Sequence, residues 1–595
     1  MSNEYILVCV AWPYANADIH QGNVTGSYLP ADIYGRFHRL QHNHVLMVSG
    51  SDSHGTPVTV KAEELGKSVE EVFGYYHHRF LQLFQKMGLC YDLFTHTDTE
   101  NHFRVSQDIF LSLLENEYLY RKVTQQMYSP ITQKFLPDRY VEGTCPNCGY
   151  TRARGDQCDN CNTLFESAAE LIQPHSKIDG NALELRDTEH FFLDLPAIAD
   201  DGLQAWLHDE DKAHWRPQVI NFARNFVDQG LIGRAVTRDM DWGIPVPVEG
   251  AEGKVLYVWF EAVIGYLSAT IEWAHNNGTP DAWRSWWQNP AARTVYFIGK
   301  DNIPFHTVMW PAQLLGAKGL YAADKSAHLN LPYDVPANEF MNMEGRKISG
   351  SMNWGVWMLD ALERHDPDPL RYYLTAVMPE SRDSDWTWQG YVDRNNNELV
   401  NNWGNLVNRV LNMTKRYFKG VVPEPGPLTN QDRDLLAAID EGFETVRQLY
   451  DGCKFRAVVQ ENLRLSTLVN QYLEETSPWT TAKTDMQATA RSLYTAVQAI
   501  SGLKILWAPI LPFTSQQLHE MLGEEGQLFG EQIVATYQES SKSHVALTYD
   551  GSTAVGDWSR HEIPVGRQLP APHPLFKRLD DSVVADELGR LGNPS

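Results

Sequence analysis

The stretch Tyr5-Ile-Leu-Val-Cys-Val-Ala11, followed by the turn-rich Trp12-Pro-Tyr-Ala-Asn-Ala-Asp18, decides the fold. A continuous apolar run this rich in β-branched residues predicts a strand buried on both faces. Beyond Gly22, apolar Val24, Tyr28, Leu29, Ile33, Phe37 and Leu40 recur at helical spacing, and His44 to Val48 predicts a second strand. Strand, loop, helix, strand is the opening of a βαβ unit. The expected fold class is therefore α/β, with a doubly wound, Rossmann-like parallel sheet whose ligands sit at the carboxyl ends of its strands. Two loops lie at such ends: Trp12 to Asn23 and Gly50 to Pro57.

Outward from this core, strand-like segments return at Val255 to Trp259 and Val295 to Ile298. The nucleotide-binding layer thus reads as split: residues 1–115 form its first half, 116–230 a connective insertion, and 231–325 its second half. Residues 326–390 carry a short basic loop, with a strand expected around His328 to Leu331. From residue 391 the pattern turns helical. Leu399, Trp403, Leu406, Val407, Val410, Leu411, Thr414 and Phe418 form one stripe, and others run through 434–474 and 487–507. We expect a C-terminal α-helical bundle over 391–548 and a proline-rich surface tail over 549–595.

Hydrophobic residues make up 43% of the 595 and charged residues 21%, which excludes a disordered, collagenous or disulfide-scaffold chain. A net charge of −25 argues against a general polyanion binder. The charge is uneven, however: Asn401 to Gly420 holds Arg409, Lys415, Arg416 and Lys419 and no acid. No apolar stretch approaches the roughly 18 to 20 residues a membrane span needs, and no basic segment precedes the first apolar run as a secretory signal requires. A cytoplasmic protein without a membrane partner is expected.

Cys145-Pro-Asn-Cys148 and Cys158-Asp-Asn-Cys161 are two CxxC turns nine residues apart. Paired thiolates on tight turns suit the tetrahedral cage zinc prefers, and four protein ligands leave no open position, so one structural Zn2+ is expected. Cys9, Cys90 and Cys453 are scattered and read as core thiols.

Two further motifs complete the set. Pro13-Tyr-Ala-Asn-Ala-Asp-Ile-His20-Gln-Gly22-Asn23 joins a strand to a helix, where free backbone N–H groups and a histidine donor suit a phosphate. Gly345-Arg-Lys347-Ile-Ser349-Gly-Ser351 is a short basic loop suited to clamping a polyphosphate. Taken together these features resemble the class I aminoacyl-tRNA synthetases, and among them the methionyl branch, over nearly the whole chain. His20-Gln-Gly22-Asn23 is similar to that family's HIGH signature and Lys347-Ile-Ser-Gly-Ser351 to its KMSKS signature. Ser51 to Pro57, Tyr257 to Tyr266 and Gly299 to His306 resemble its methionine-pocket segments.

The resemblance implies a methionine-tRNA ligase. Such an enzyme activates L-methionine with ATP and Mg2+ to methionyl-adenylate, then charges tRNA(Met) for initiation and elongation. It implies His20, Asn23 and Lys347 as catalytic residues, with His20, Gly22, Asn23, Lys347, Ser349 and Ser351 holding ATP. Asp52 would bind the substrate's ammonium, and Trp12, Tyr14, Trp259, Tyr266 and His306 would surround its side chain. Arg238 and Asp301 would pair in the same cleft, residues 326–390 would contact the tRNA stem, and Asn412, Arg416 and Trp479 would read the anticodon. Aromatic walls with one or two donors suit a thioether, and unstacked loop bases suit stacking and edge hydrogen bonds. Too few residues follow the bundle for a dimerisation domain, so a monomer is expected. The chain departs from the signatures at Asn23, which replaces a histidine, and at Gly350, which replaces the second lysine; Trp12 and Val263 are unusual in the pocket. Two alternatives stay open: a tRNA-binding paralogue that has lost catalysis, and an enzyme that activates a methionine analogue or serves biosynthesis.

Overall fold

The computed structural model describes all residues except 1–2, 138–139, 156–157, 159, 162, 164, 166–167, 178 and 593–595. At its centre is a six-stranded sheet in the order Arg293–Phe297, Tyr5–Val10, His44–Ser51, Leu93–His96, Ser543–Asp550, Glu531–Gln538. The first four strands are parallel, with Val8 opposite both Met47 and Val295. Alternation along Tyr5–Val10 sends Ile6, Val8 and Val10 into one core and Leu7 and Cys9 into another. The first core runs on through Tyr34 and Phe37 into the bundle's Val446 and Leu503.

The last two strands correct the expectation that 391–548 is purely helical. Glu531–Gln538 and Ser543–Asp550 form an antiparallel hairpin, and Leu547 and Thr548 pair with Phe94 and Leu93. The hairpin covers the edge of the parallel sheet, which would otherwise expose unpaired backbone groups. Two other expected strands also differ. His328 to Leu331 is irregular; the strand before the basic loop is Met341–Met343, parallel to Ser384–Trp386. Lys254–Leu256 is a strand paired with Thr237–Asp239, and the chain then turns into the helix Val258–Glu261. Tertiary context here overrides the β-propensity of Val258 and Trp259.

A helical run extends from Gln21 to Leu40, with a π turn at Val24–Tyr28 that absorbs Pro30 and its missing N–H. The insertion pairs Leu119–Ser129 with Glu184–Leu193. The bundle is built on Asn405–Phe418, Asn430–Asp451, Phe455–Thr476 and Met486–Trp507. Beyond it the chain returns along the surface to the helix Ser582–Leu588, whose buried Glu587 accepts from Arg364 and His365.

One buried cluster joins these parts. Arg371, on the helix Pro367–Ala376, is wholly buried and donates to Asp32 Oδ2 at 2.6 Å and to the backbone carbonyls of Met87, Pro509 and Ile510 at 3.1, 2.8 and 2.9 Å. Asp32 also accepts from Arg36 Nε at 3.0 Å and from the Cys90 N–H at 2.8 Å. Removing one member of such a pair costs about 3–5 kcal/mol, because the remaining groups stay buried and unpaired. Arg371→Leu is therefore expected to lower the thermal unfolding midpoint markedly in calorimetry. Arg447→Leu, which loses only an exposed pair with Glu444, should change stability by less than about 1 kcal/mol.

Candidate active site

His20 precedes the helical run and folds back over it. Its Nδ1 accepts from the backbone N–H groups of Gly22 at 3.1 Å and Asn23 at 3.3 Å, while the Asn23 side chain accepts from the His20 N–H at 3.2 Å. The amides expected to be free for a phosphate are therefore already capped; the turn still offers the positive end of the helix and the far side of the ring. Burial pushes the His20 pKa down to about 4, so the ring is neutral near pH 7. With Nδ1 accepting, its proton resides on Nε2, a single donor of fixed identity.

The basic loop lies against this helix start. Gln21 donates its N–H to Val356 O at 3.0 Å and accepts the Val356 N–H on its side chain at 2.8 Å; the His20 and Trp357 rings are 5.9 Å apart. A Cβ on residue 22 would come within 2.8 Å of Ile348 Cδ1, so glycine is what admits the loop. Ser349 Oγ and Ser351 Oγ are 3.3 Å apart, and Lys347 is exposed, its charge felt by Asp301 and Asp383. Arg346 stacks on Trp354 with 4.8 Å to the ring centroid. The structure thus brings His20, Gly22 and Asn23 beside the loop that carries Lys347, Ser349 and Ser351.

The loops of Tyr14 and Asp52 are stitched together: Asp52 N–H donates to Pro13 O at 2.7 Å and Ala15 N–H to Asp52 O at 2.9 Å. Burial, and then the nearby Glu261 carboxylate, push the Asp52 pKa well up. An arriving cation would relieve both effects. Tyr14 meets Trp259 edge-on at 6.1 Å, and Trp259 stacks on Phe305 at 4.1 Å. A cavity of about 700 Å³ opens here, lined by Tyr14, His54, Arg238, Trp242, Trp259 and Glu261 among others.

Tyr266 and His306 are both buried and 2.7 Å apart, hydroxyl to Nε2. Burial lowers the His306 pKa to about 4, and its Nδ1–H donates to Asn302 O at 2.9 Å. Nε2 must then accept the phenol proton. The donors expected near a thioether are spent on this chain of bonds, which leaves an apolar, polarisable wall. The expected Arg238–Asp301 pair is not formed. Arg238 donates to Thr237 O at 2.8 Å and Ala235 O at 3.2 Å and lies 3.9 Å over the Tyr257 ring, whereas Asp301 feels Lys300 and Lys347. Trp12 meets Tyr266 edge-on at 6.5 Å, and its indole fills space that Cβ atoms on Gly50 or Gly265 would invade at 2.2 and 2.6 Å.

On the bundle, Arg409, Asn412 and Arg416 share one face of Asn405–Phe418. Arg409 lies 5.2 Å over the Trp479 ring, which joins Trp479 to that face, and pairs with Glu474 at 2.7 Å. The basic face is thus partly neutralised by an acid from the neighbouring helix. Asn412 donates to Asn408 O at 2.9 Å and is exposed, as is its neighbour Lys415.

In the insertion, the ligand atoms of Cys145, Cys148, Cys158 and Cys161 lie within 4.8 Å of one another. Cys145 to Cys161 and Cys148 to Cys158 measure 3.7 and 3.6 Å between sulfurs. A tetrahedral Zn2+ with Zn–S near 2.3 Å requires edges of about 3.8 Å, so the donor set fits. Asn147 and Asn160, the third residue of each CxxC turn, donate to Cys161 and Cys148 at 3.7 and 3.5 Å. Such outer donors suit bound thiolates.

A family model described as tRNA synthetases class I (M) matches residues 6–411, and one for the anticodon binding domain of methionyl tRNA ligase matches 422–551. The chain belongs to the methionyl class I tRNA synthetases. It is 52% identical over 590 residues to the methionine--tRNA ligase of Thermomicrobium roseum, covering 99% of each chain. It is 50% identical over 594 residues to that of a Roseiflexus species, covering 98% of each. Its fold is similar to the Mycobacterium tuberculosis methionyl-tRNA synthetase solved in complex with methionyl-adenylate, with TM-score 0.74 and 24% identity over 97% of this chain and 100% of that one.

In this synthetase His54, Glu261 and Phe305, which no motif singles out, also belong to the cleft: His54 and Glu261 line the cavity and Phe305 stacks on Trp259. A buried ionisable residue beside a pocket aromatic was the available signal. The Trp12 packing gives a stability test. Gly265→Ala should cost about 1–3 kcal/mol by overpacking. Adding Trp12→Leu should return part of that loss, a coupling read from unfolding midpoints of the two single variants and the double variant.

Proposed function

We infer that the chain is a methionine--tRNA ligase: it activates L-methionine with MgATP to methionyl-adenylate and esterifies tRNA(Met). The observation that carries this is the ordered match of catalytic and anticodon families across one chain, with near-50% identity to methionine--tRNA ligases over almost its full length. In the first step the methionine carboxylate attacks the α-phosphate and pyrophosphate leaves; in the second a ribose hydroxyl of the terminal adenosine takes the acyl group. Catalysis is by positioning and by stabilising phosphate charge. His20 offers its Nε2–H, Asn23 its side-chain amide, and Lys347 its ammonium, with Gly22, Ser349 and Ser351 framing the nucleotide. Asp52 takes the substrate's ammonium. Trp12, Tyr14, Trp259, Tyr266 and His306 enclose the thioether, and Arg238 and Asp301 bound the carboxylate side.

Asn412, Arg416 and Trp479 read the anticodon, a role supported by their common face and by the Arg409 stack. The alternative of a catalytically silent paralogue loses ground because His20 keeps a defined donor and Lys347 remains exposed. Zinc fits the four thiolates and would hold the insertion's fold without entering the reaction. Free thiols of this kind suit the reducing cytoplasm, and no helix among the described residues is long and apolar enough to cross a membrane. A single chain carries both the activation cleft and the anticodon face, so a monomer suffices.

Charging of a methionine tRNA with CAU anticodon tests the reading; failure to esterify it in the presence of methionine and ATP would refute it. Lys347→Ala should slow adenylate formation roughly ten- to a hundredfold in single-turnover assays, the loss of one charge-assisted hydrogen bond made in the transition state. Elemental analysis should find about one zinc per chain. Cys145→Ser with Cys158→Ser should abolish it and lower the unfolding midpoint.

A further inference from the structure

The pocket's acidic end rests on a second carboxylate that the reaction itself does not use. Glu261 closes the short helix Val258–Glu261, two residues after the wall residue Trp259, and is wholly buried. Both its oxygens face His54 Nδ1, at 2.9 and 3.0 Å. The backbone N–H of His54 donates to Asp52 Oδ1 at 3.1 Å. Glu261 therefore bolts the element carrying the aromatic wall to the loop carrying Asp52, through one residue used at both ring and backbone. A third element joins them: His102, on the helix Glu100–Glu115, lies 3.4 Å from Glu261 through Nε2 and bonds Ser268 Oγ through Nδ1 at 2.8 Å. Its ring packs near-parallel to Trp12 at 6.2 Å.

We propose that Glu261, acting through His54, is a positioning residue that holds Asp52 in register for the substrate's ammonium group. The proposal rests on the assignment of Asp52 to that ammonium. Isolated, a carboxylate this deep would be costly; paired, it fixes both the orientation and the charge of the imidazole. The charged and titratable groups facing His54 are Asp52, Glu261, His96, His102 and Asp98, the last itself paired with Lys542 at 2.8 Å. Burial opposes His54 protonation, but the Glu261 and Asp52 carboxylates outweigh it and raise the pKa. The Glu261 carboxylate thus favours the charged form of the ring beside the ammonium. Without the Glu261 charge, burial would weaken the ring's hold on its proton, and acidification would place a new positive charge beside the substrate's ammonium.

The test is methionine-dependent ATP–pyrophosphate exchange by the full chain between pH 5.5 and 8.5, with KM for methionine and ATP measured separately. Glu261→Gln keeps the shape and removes the charge. It should raise KM for methionine about tenfold or more, a loss of one strong contact, with KM for ATP within about twofold. That KM should also climb more steeply on acidification than the KM of the unaltered protein does. His54→Asn should reproduce the elevated KM without the pH dependence, and the double variant should be no worse than His54→Asn, as expected of residues that act as one unit. An unchanged KM for methionine, or equal losses for methionine and ATP with no new pH dependence, would overturn the proposal. If Glu261→Gln does not fold, an unchanged methionine KM in His54→Asn overturns it alone. Absence of exchange in the unaltered protein would instead defeat the functional reading beneath it.

Discussion

The buried Asp32–Arg371 pair is the constraint on which the active cleft depends. Asp32 lies on the helical run that begins beside His20, and Arg371 on the helix Pro367–Ala376, beyond the basic loop. Their contact, with the carbonyls of Met87, Pro509 and Ile510 around the same guanidinium, ties both motif-bearing segments to the bundle. Lone buried charges are expensive, so the pair has one well-satisfied arrangement and few alternatives. His20, the Lys347 loop and the bundle are thereby held in one frame.

Around that frame the cleft uses neutral and charged groups differently. His20 and His306 are kept neutral by burial, so each has a defined tautomer and serves as a directed hydrogen-bonding group. Asp52 is the reverse, a carboxylate whose ionisation is opposed by burial and by the nearby Glu261 charge. Under the proposed assignment, such a pocket would discriminate by the charge of the ammonium at one end and by the shape of an apolar, aromatic wall at the other. The net charge of −25 does not conflict with an RNA partner, because the charge is uneven and Asn401 to Gly420 carries basic residues and no acid.

Much of this was legible in the sequence. The first βαβ unit announced itself because a strand buried on both faces must be continuously apolar, and the four-cysteine cluster because CxxC spacing is a direct image of ligand geometry. The hairpin Glu531–Asp550 was not legible: its first strand is largely exposed, and its pairing with Leu93 and Phe94 spans more than four hundred residues. Nor could spacing reveal that the His20 ring caps the amides of Gly22 and Asn23, or that Arg238 turns to the carbonyls of Ala235 and Thr237 in place of Asp301. Those outcomes depend on side-chain direction, which residue order alone does not determine. The acid at Glu474 that meets Arg409 was hidden for the same reason, since it comes from another helix.

The central claim is that the cleft between His20 and the Lys347 loop activates methionine although Gly350 leaves the loop one cation short. Amino-acid-dependent exchange of pyrophosphate into ATP, run side by side with methionine, leucine, isoleucine and a methionine analogue, measures this most directly. The account predicts robust exchange with methionine, far weaker exchange with leucine and isoleucine, and none without an amino acid. Binding of methionine tRNA with no exchange, or exchange that favours the analogue over methionine, would contradict it.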